Sequence, residues 1–341
     1  MMKESIRTGN LWRQILLFAL PIAATSMLEQ LFNSADIAVV GRFGGSNALA
    51  AVGSTSSIIN LYITIFTGLS IGANVMVAQM IGAGNRDGIK KTIHTSLILA
   101  LISGFIMMII GFFLAGPLLE AMGTPEEIMG LAKKYLQIYM LGAVFLMVYN
   151  FEAAIMRANG DTRRPLYCLL FSGVLNVILN LFFVIVFHMN IEGVAIATVI
   201  SNATGAFLLF QSLTKAQSVI HVELSELRID KGRMLAILKI GVPAAIQGMM
   251  FNIANVLIQT GFNQLGADVI AASTIGLNAE IFVYYLMNSF GQTCVTFNGQ
   301  NYGAGDYKRC KDATRVCLVL GEFITMSLAL LFLTFRIPFS R

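Results

Sequence analysis

The stretch ALPIAATSMLEQLFNSAD at residues 19–36 returns in altered form as IGVPAAIQGMMFNIANV at residues 240–256. Two further pairs of segments repeat behind these stretches in the same order: FGGSNALAAVG (43–53) with LGADVIAASTIG (265–276), and QMIGAGN (79–85) with QNYGAGD (300–306). The offset is 221 to 223 residues throughout. Self-similarity at one spacing indicates that a whole structural unit is duplicated.

The composition predicts that both copies lie in a membrane. Hydrophobic residues make up 56% of the 341 residues and charged residues only 12%, which is too few to cover a water-facing surface. Several stretches carry no charge for longer than the roughly 20 residues that a spanning helix needs. With Gly, Pro and charge as breaks, hydropathy predicts nine membrane helices in an all-α, polytopic fold: 15–40, 54–81, 93–115, 127–150, 166–188, 192–214, 235–262, 274–301 and 314–335.

Basic residues predict the orientation of these helices, since Lys and Arg accumulate in short cytoplasmic loops. With the amino terminus inside, the inner segments hold eighteen Lys and Arg and the outer segments hold five. We therefore expect a multi-pass protein of the cytoplasmic (inner) membrane with its amino terminus in the cytoplasm. The same asymmetry explains the net charge of +5, so no nucleic-acid partner is expected.

Six predicted helices separate the start of one copy from the start of the next. An even number of crossings returns the chain to the same side, so the copies are parallel and related by an axis along the membrane normal. The expected organisation is a six-helix bundle at 1–214, a cytoplasmic linker at 215–234 and an incomplete bundle of three helices at 235–341. By this reasoning the chain is truncated after about nine of twelve helices.

The sequence contains no motif typical of a metal site, a nucleotide-binding loop or a catalytic site. The four cysteines form no C-x-x-C pair, the three histidines have no partner at helical spacing, and residues 82–92 lack the spacing of a phosphate loop. We expect no enzyme activity, no metal site and no cofactor besides H⁺ or Na⁺ as a coupling ion.

The ordered set of motifs resembles the multidrug and toxic compound extrusion (MATE) family. The likeness rests on Pro21 and Asp36 in the first helix, the two Q-x-x-G-A-G turns, RANGDTRRP (157–165), NVILN (176–180) and EGVAIATVIS (192–201), and it covers nearly the whole chain. The resemblance implies two six-helix bundles that face each other across a V-shaped cavity. It also implies export of organic cations in exchange for protons or sodium ions.

The resemblance places ion coupling at Asp36 on the first helix, with Asn176 and Asn180 on the fifth. Some members carry aspartate where Asn180 stands, so this chain has one titratable group fewer. Glu29 and Asn33 precede Asp36 on one helical face and join the predicted site. An acid at mid-membrane costs at least about 2.5 to 3.5 kcal/mol, so such residues face a bundle interior or a wet cavity. Hydrogen bonding between helices would use the same residues.

Other polar residues and two prolines complete the prediction. Four polar residues of the second copy are expected to line the substrate cavity, with plain helix packing as the alternative: Asn252, Asn255, Gln259 and Glu280. Glu152 lies near a basic loop, where structural pairing is expected. Pro21 and Pro243 occupy equivalent places within membrane helices, where the missing backbone donor allows a hinge.

Three functions fit these features. The first is a secondary antiporter that exports amphipathic cationic drugs or metabolites by alternating access. The second is a flippase for a lipid-linked precursor, which should line its cavity with several Arg or Lys; the predicted spans contain almost none. The third is a non-transporting scaffold or a transporter fragment. The expected partners are a small organic cation and membrane lipid, with the protein as a monomer.

Overall fold

The computed structural model describes residues 6–216, 218–263 and 267–334. The described residues fold into α-helices joined by short turns: α1 (Leu11–Phe43), α2 (Gly45–Gly82), α3 (Arg86–Ala121), α4 (Glu126–Leu141), α5 (Ala143–Ala158), α6 (Arg163–Leu181), α7 (Ile191–Thr214), α8 (Lys231–Asn263), α9 (Ala267–Gly303) and α10 (Tyr307–Thr334). A π-helical turn, Phe182–Val186, extends α6, and a 3-10 turn, Leu224–Glu226, precedes α8. The all-helical fold class is confirmed.

Membrane-spanning character is found in most of these helices. Within the described residues, seven helices are long and apolar enough to cross a bilayer, namely α1, α2, α3, α6, α7, α8 and α10. The pair α4 and α5 adds an eighth crossing if it is counted as one span. The predicted span 274–301 lies within α9, part of which is outside the residues whose side chains the structure describes. Its polar residues Thr293, Thr296 and Gln300 are buried, so this part of α9 meets protein rather than lipid.

The predicted single helix at 127–150 is wrong. It is divided at Gly142 into α4 and α5, which are bent by 46° relative to each other, and α5 continues to Ala158. A Cβ atom at Gly142 would lie 3.0 Å from the side chain of Val199 on α7. Glycine lets the bent backbone approach α7 this closely, and no hydropathy pattern reveals such a contact.

The two Q-x-x-G-A-G motifs pack against each other. Gly82 at the end of α2 lies against the backbone carbonyl of Gln300, and Gly303 at the end of α9 lies against that of Gln79. The contacts are reciprocal, because Gln79 and Gly82 of the first copy correspond to Gln300 and Gly303 of the second. Reciprocal contact between equivalent residues is the mark of a two-fold relation, as the parallel repeat predicts.

Each G-A-G turn ends one helix and begins the next in the same way. Gly84 and Gly305 have left-handed φ angles of 66° and 78°, which suit glycine after a helix C-terminus. The next side chains, Asn85 and Asp306, each accept a hydrogen bond from the backbone N–H three residues on, at 2.8 and 2.9 Å. Both G-A-G turns are therefore helix stops.

The basic end of the molecule is the end that carries the turns at 83–85, 159–162 and 304–306. There the helices of the second copy pack closely on the first: Gln300 Nε2 donates to the carbonyl oxygen of Ala158 at 2.6 Å. Further along α2, Gly68 lies against Ala245 of α8. Such contacts between small residues are typical of helices that associate in membranes.

Towards the opposite end, a hydrogen bond between side chains links the two copies. Asn252 Nδ2 on α8 donates to Thr64 Oγ1 on α2 at 2.7 Å. Beyond this bond, Ile253 and Leu257 on α8 are exposed. The cavity that the resemblance implies between the two copies stays a prediction; it would lie between α1 and α2 on one side and α8 and α9 on the other, and we call it the cleft.

Replacement of Gly82 by alanine tests the reciprocal contact. The new Cβ overlaps the Gln300 carbonyl, so we expect Gly82→Ala to lower stability by about 1–3 kcal/mol, as overpacking does. Gly53→Ala on the same helix is the matched control, because nothing lies within 4 Å of a Cβ atom there. Thermal unfolding of the purified protein in detergent measures both; equal midpoints would contradict the packing described.

Candidate functional site

Asp36 is buried in the first bundle, with a relative exposure of 8%. Asn180 Nδ2 on α6 donates to Asp36 Oδ1 at 2.5 Å, and Thr198 Oγ1 on α7 lies 3.4 Å from Asp36 Oδ2. Three helices therefore meet at one carboxyl group. Hydrogen bonds of this kind compensate part of the cost of burying a charge.

The two predicted asparagines belong to the same network. Asn180 Nδ2 also lies 3.3 Å from Asn176 Oδ1, and Asn176 Nδ2 donates to Thr198 Oγ1 at 3.3 Å. The structure therefore brings Asp36, Asn176 and Asn180 together. Thr198 was missed from the sequence, although a hydroxyl within the apolar run EGVAIATVIS is a signal that could have identified it.

An acceptor in this network has no partner. Asn180 Oδ1 is buried without a hydrogen bond among the described residues. A proton on the neighbouring carboxyl group, or a bound cation, would provide the partner it lacks. Tyr135 and Tyr139 of α4 lie close enough to interact electrostatically with Asp36 and enclose this side. Carboxylate, amide and hydroxyl oxygens form a donor set that suits a proton or a hard cation.

Glu29 and Asn33 do not share the environment of Asp36. Both are exposed, whereas Asp36 on the same predicted face is buried. The reason lies in the position of α1, which packs both on α6 of the first bundle and on α9 of the second copy. Tyr285 on α9 donates from its hydroxyl to Gln30 Oε1 at 3.2 Å. Glu29 is therefore at the junction between the bundles.

The Glu29 carboxyl group has a cation and an aromatic side chain nearby. Arg157 of α5 and Tyr285 of α9 both interact with it electrostatically. Close by on the second copy, Phe251 and Tyr284 are stacked, with centroids 5.2 Å apart and ring planes 11° apart. Both rings are exposed, and Tyr284 lies 5.9 Å from the ring of Tyr285. Acidic and aromatic groups together bind organic cations.

The predicted cavity residues of the second copy lie in different settings. Asn252 is bonded to Thr64 across the two bundles, so it acts as a bridge in this structure. Asn255 and Glu280 are exposed. The side chain of Gln259 lies outside the described residues. The positions of Asn252, Asn255 and Glu280 are compatible with a place in the wall of the cleft. Their role in substrate binding stays a prediction.

Both predicted hinge prolines lie within continuous helices. Pro21 is inside α1 and Pro243 is inside α8. Each lacks the N–H that would bond the carbonyl one turn earlier, which leaves a weak point in the helix. Thr25 Oγ1 donates to the carbonyl oxygen of Pro21 at 2.8 Å, which does not replace the bond that Pro21 cannot donate to the carbonyl of Leu17. The hinge role itself stays a prediction.

A cavity of about 700 Å³ between α2, α9 and α10 contains none of the residues of the Asp36 network. Cys294, Cys310 and Cys317 line it together with apolar residues. Within the described part of the chain, no group of three or more His, Cys, Asp and Glu could hold a metal ion.

A comparison with protein families agrees with this arrangement, because residues 21–182 and 243–341 match the MatE family. The chain belongs to the MatE family. The matched segments begin at Pro21 and Pro243, the paired prolines of the internal repeat. As a MatE protein it is a multi-pass membrane transporter and not an enzyme.

Relatives and solved structures extend the comparison. The chain is 27% identical to the probable multidrug resistance protein YoeA of Bacillus subtilis, over 96% of this chain and 72% of the relative. It is 30% identical to the probable multidrug resistance protein YpnP of the same organism, over 88% and 67%. A solved MOP superfamily transporter from Pyrococcus furiosus has a TM-score of 0.89 and 22% identity, over 97% of this chain and 73% of that one. The chain thus spans about seven tenths of the length of these proteins.

Replacement of Thr198 by valine tests the Asp36 network. The change removes the acceptor of Asn176 Nδ2 and the hydroxyl group that lies 3.4 Å from Asp36 Oδ2, so we expect a loss of about 1–3 kcal/mol of stability. Thr204→Val on the same helix is the control, because its hydroxyl donates at 2.8 Å to the carbonyl of Ile200 in its own helix. Detergent unfolding curves should separate the two variants, and a Thr198→Val curve that follows the control would argue against the network.

Proposed function

We propose that this MatE protein is a secondary antiporter that exports amphipathic organic cations in exchange for H⁺ or Na⁺. The observation that carries the proposal is the buried carboxyl group of Asp36, held by Asn180 and Thr198 beside an acceptor without a partner. A carboxyl group with this surrounding can bind and release a small cation while the helices around it move. Among the described residues, no ion pair explains why the Asp36 carboxyl group is buried.

The two acids of α1 have different tasks in this mechanism. Asp36 binds the coupling ion inside the bundle, and Glu29 attracts the substrate in the cleft. Binding of the coupling ion neutralises Asp36 and changes the hydrogen bonds between α1, α6 and α7. Because α1 also packs on α9, this change alters the contact between the two copies and favours opening to the other side.

The orientation follows from the distribution of charge. We propose that the basic end faces the cytoplasm, as the excess of Lys and Arg in its loops favours. The cleft at the opposite end then opens outwards in the conformation described. This arrangement suits the loading of Asp36 from outside, since Asp36 lies nearer that end of α1.

The flippase reading stays as the alternative. A lipid-linked pyrophosphate needs several cations in the cleft, whereas Arg157 is the cation that interacts with Glu29 there. The acid and the exposed aromatic rings favour a cationic substrate over an anionic one. The remaining alternative is that this chain does not transport. The efflux experiment with the Asp36 variant, described next, tests this alternative.

Asp36→Asn tests the coupling role. Ethidium efflux should be abolished in cells that carry this variant, because the amide cannot take up a proton or balance a cation. Asp87→Asn is the control, since Asp87 forms an exposed ion pair with Lys91 at 2.7 Å. Cells with a form extended by three helices run in parallel, which reveals whether the shorter chain transports at all. Efflux by an extended Asp36→Asn form at the unmodified rate would contradict the mechanism.

Glu29→Gln tests recognition of the cation. The apparent KM for ethidium should rise by roughly 5- to 30-fold, which corresponds to about 1–2 kcal/mol of lost attraction, while the maximal rate is retained. Glu322→Gln is the control, because Glu322 lies at the groove between α9 and α10, away from the cleft. Initial efflux rates over a range of ethidium concentrations give both parameters. An unchanged KM would remove Glu29 from the substrate site.

A further inference from the structure

Glu152 on α5 is a buried acid that the mechanism above does not use. Its side chain has a relative exposure of 0%, and neither carboxyl oxygen has a hydrogen-bond partner among the described residues. The structural pairing expected from its position near a basic loop is therefore wrong. The reason is that Glu152 points into the bundle, whereas the basic residues of the loop lie at its end.

The groups around Glu152 supply no counter-charge. Tyr149 on the same helix and Cys168 on α6 interact with it electrostatically, and both are neutral in their ordinary state. Arg157, one turn further along α5, interacts with Glu29 and Tyr149 instead.

The other elements packed against α5 place their titratable groups elsewhere. His94 on α3 interacts with Lys90 of the same helix and with two acids of the linker, Glu223 and Glu226. Tyr62 on α2 lies beside Gly111 of α3. On α7, Glu192 pairs with Lys134 of α4, while Tyr135 and Tyr139 of α4 face Asp36. On α9, Gln300 meets the end of α5 through the Ala158 carbonyl.

A carboxylate without donors or a cation is costly to bury, so the fold tolerates Glu152 best with a proton bound.

A line of polar side chains runs from the Asp36 site towards Glu152. On α6 these residues recur every four positions and face the bundle interior: Asn180, Asn176, Ser172 and Cys168. We name this set the α6 polar stripe. It extends over about 18 Å, at 1.5 Å per residue. Asn180 donates to Asp36, and Cys168 packs against the apolar cluster that includes Ala153, the neighbour of Glu152 on α5.

The helix that faces the stripe packs closely on it. Thr198 and Ser201 on α7 carry hydroxyl groups, and Ser201 is buried. A Cβ atom at Gly205 would lie 3.2 Å from Ser172 Oγ and 3.5 Å from the ring of Tyr149. Glycine at this position therefore lets the hydroxyl of Ser172 and the ring of Tyr149 come together between α5, α6 and α7. Hydroxyl groups both donate and accept hydrogen bonds, so they can take part in proton transfer.

We infer that Glu152 is a second proton-binding site, reached from Asp36 along the α6 polar stripe. A proton that leaves the Asp36 carboxyl group binds the Glu152 carboxylate, and Asp36 returns to the carboxylate held by Asn180 and Thr198. The charge of the bundle stays constant during the transfer. Glu152 then releases the proton towards the basic end. This inference rests on the proposed function only in taking H⁺ as the coupling ion.

Infrared spectroscopy of the purified protein in lipid tests the site without any transport measurement. The carbonyl stretch of a protonated carboxyl group is followed while pH is raised, in the unmodified protein, in Asp36→Asn, in Glu152→Gln and in the double variant. We expect one band that disappears as pH rises and is absent from Glu152→Gln, and a second that is absent from Asp36→Asn. Glu322→Gln, on the exposed side of α10, should leave both bands unchanged.

Two results would overturn the inference. A Glu152 band that persists at every pH would show a permanently protonated structural acid. Spectra of Glu152→Gln that equal those of the unmodified protein would show that Glu152 never carries the proton. Neither result depends on ethidium efflux, so failure of this site and failure of the antiport proposal are distinguished.

The path is tested by filling the space at Gly205. After a rapid pH change, protonation of Glu152 should be slower in Gly205→Val than in the unmodified protein, while that of Asp36 keeps its rate. Gly130→Val is the control, because nothing lies within 4 Å of a Cβ atom there. Gly205→Ala, whose added methyl group is smaller, provides the same comparison if the valine variant does not fold. Equal rates at Glu152 in the Gly205 variant and the control would rule out the stripe as the path.

Discussion

The structure depends on the burial of one carboxyl group, that of Asp36, within helices that face lipid. An ionisable group in this position needs internal partners, because the hydrocarbon region offers no water. Asn180 and Thr198 are these partners, and they belong to α6 and α7. The relative positions of α1, α6 and α7 are therefore tied to the state of one side chain. Since α1 also packs on the second copy, a local change of charge has a route to the contact between the bundles.

The sequence predicts the architecture well because hydropathy and repetition are averaged over many residues. The all-helical fold and the stops at the G-A-G turns follow from such signals, and so does the parallel relation that the Gly82 and Gly303 contacts display. The bend at Gly142 does not, since it depends on a close approach to Val199 of another helix. The contact of buried Thr296 on α9 with Asn74 of the first bundle, at 3.0 Å, also joins residues that are distant in the sequence.

The candidate site is predictable only in part. Spacing along one helix indicates that Asn176 and Asn180 share a face, and the structure places both at Asp36. Spacing cannot tell which part of a face meets another helix, so Glu29 and Asp36 end in different surroundings. Thr198 and Glu152 require knowledge of contacts between helices that are distant in sequence. That the carboxyl group of Glu152 lacks a hydrogen-bond partner among the described residues becomes clear only when the side chains around it have been located.

The reciprocal contact of Gly82 and Gly303 has a mechanical consequence. Both glycines touch backbone atoms, so the two backbones meet directly at this point. Direct backbone contact would let one half of the molecule rotate on the other about this point, with the hydrogen bond from Gln300 Nε2 to the Ala158 carbonyl as a side-chain link between the halves. The duplicated turn would then be the pivot of this rotation, on the pseudo-symmetry axis. A rotation about this point would move the distant ends of the helices furthest and change the local packing least.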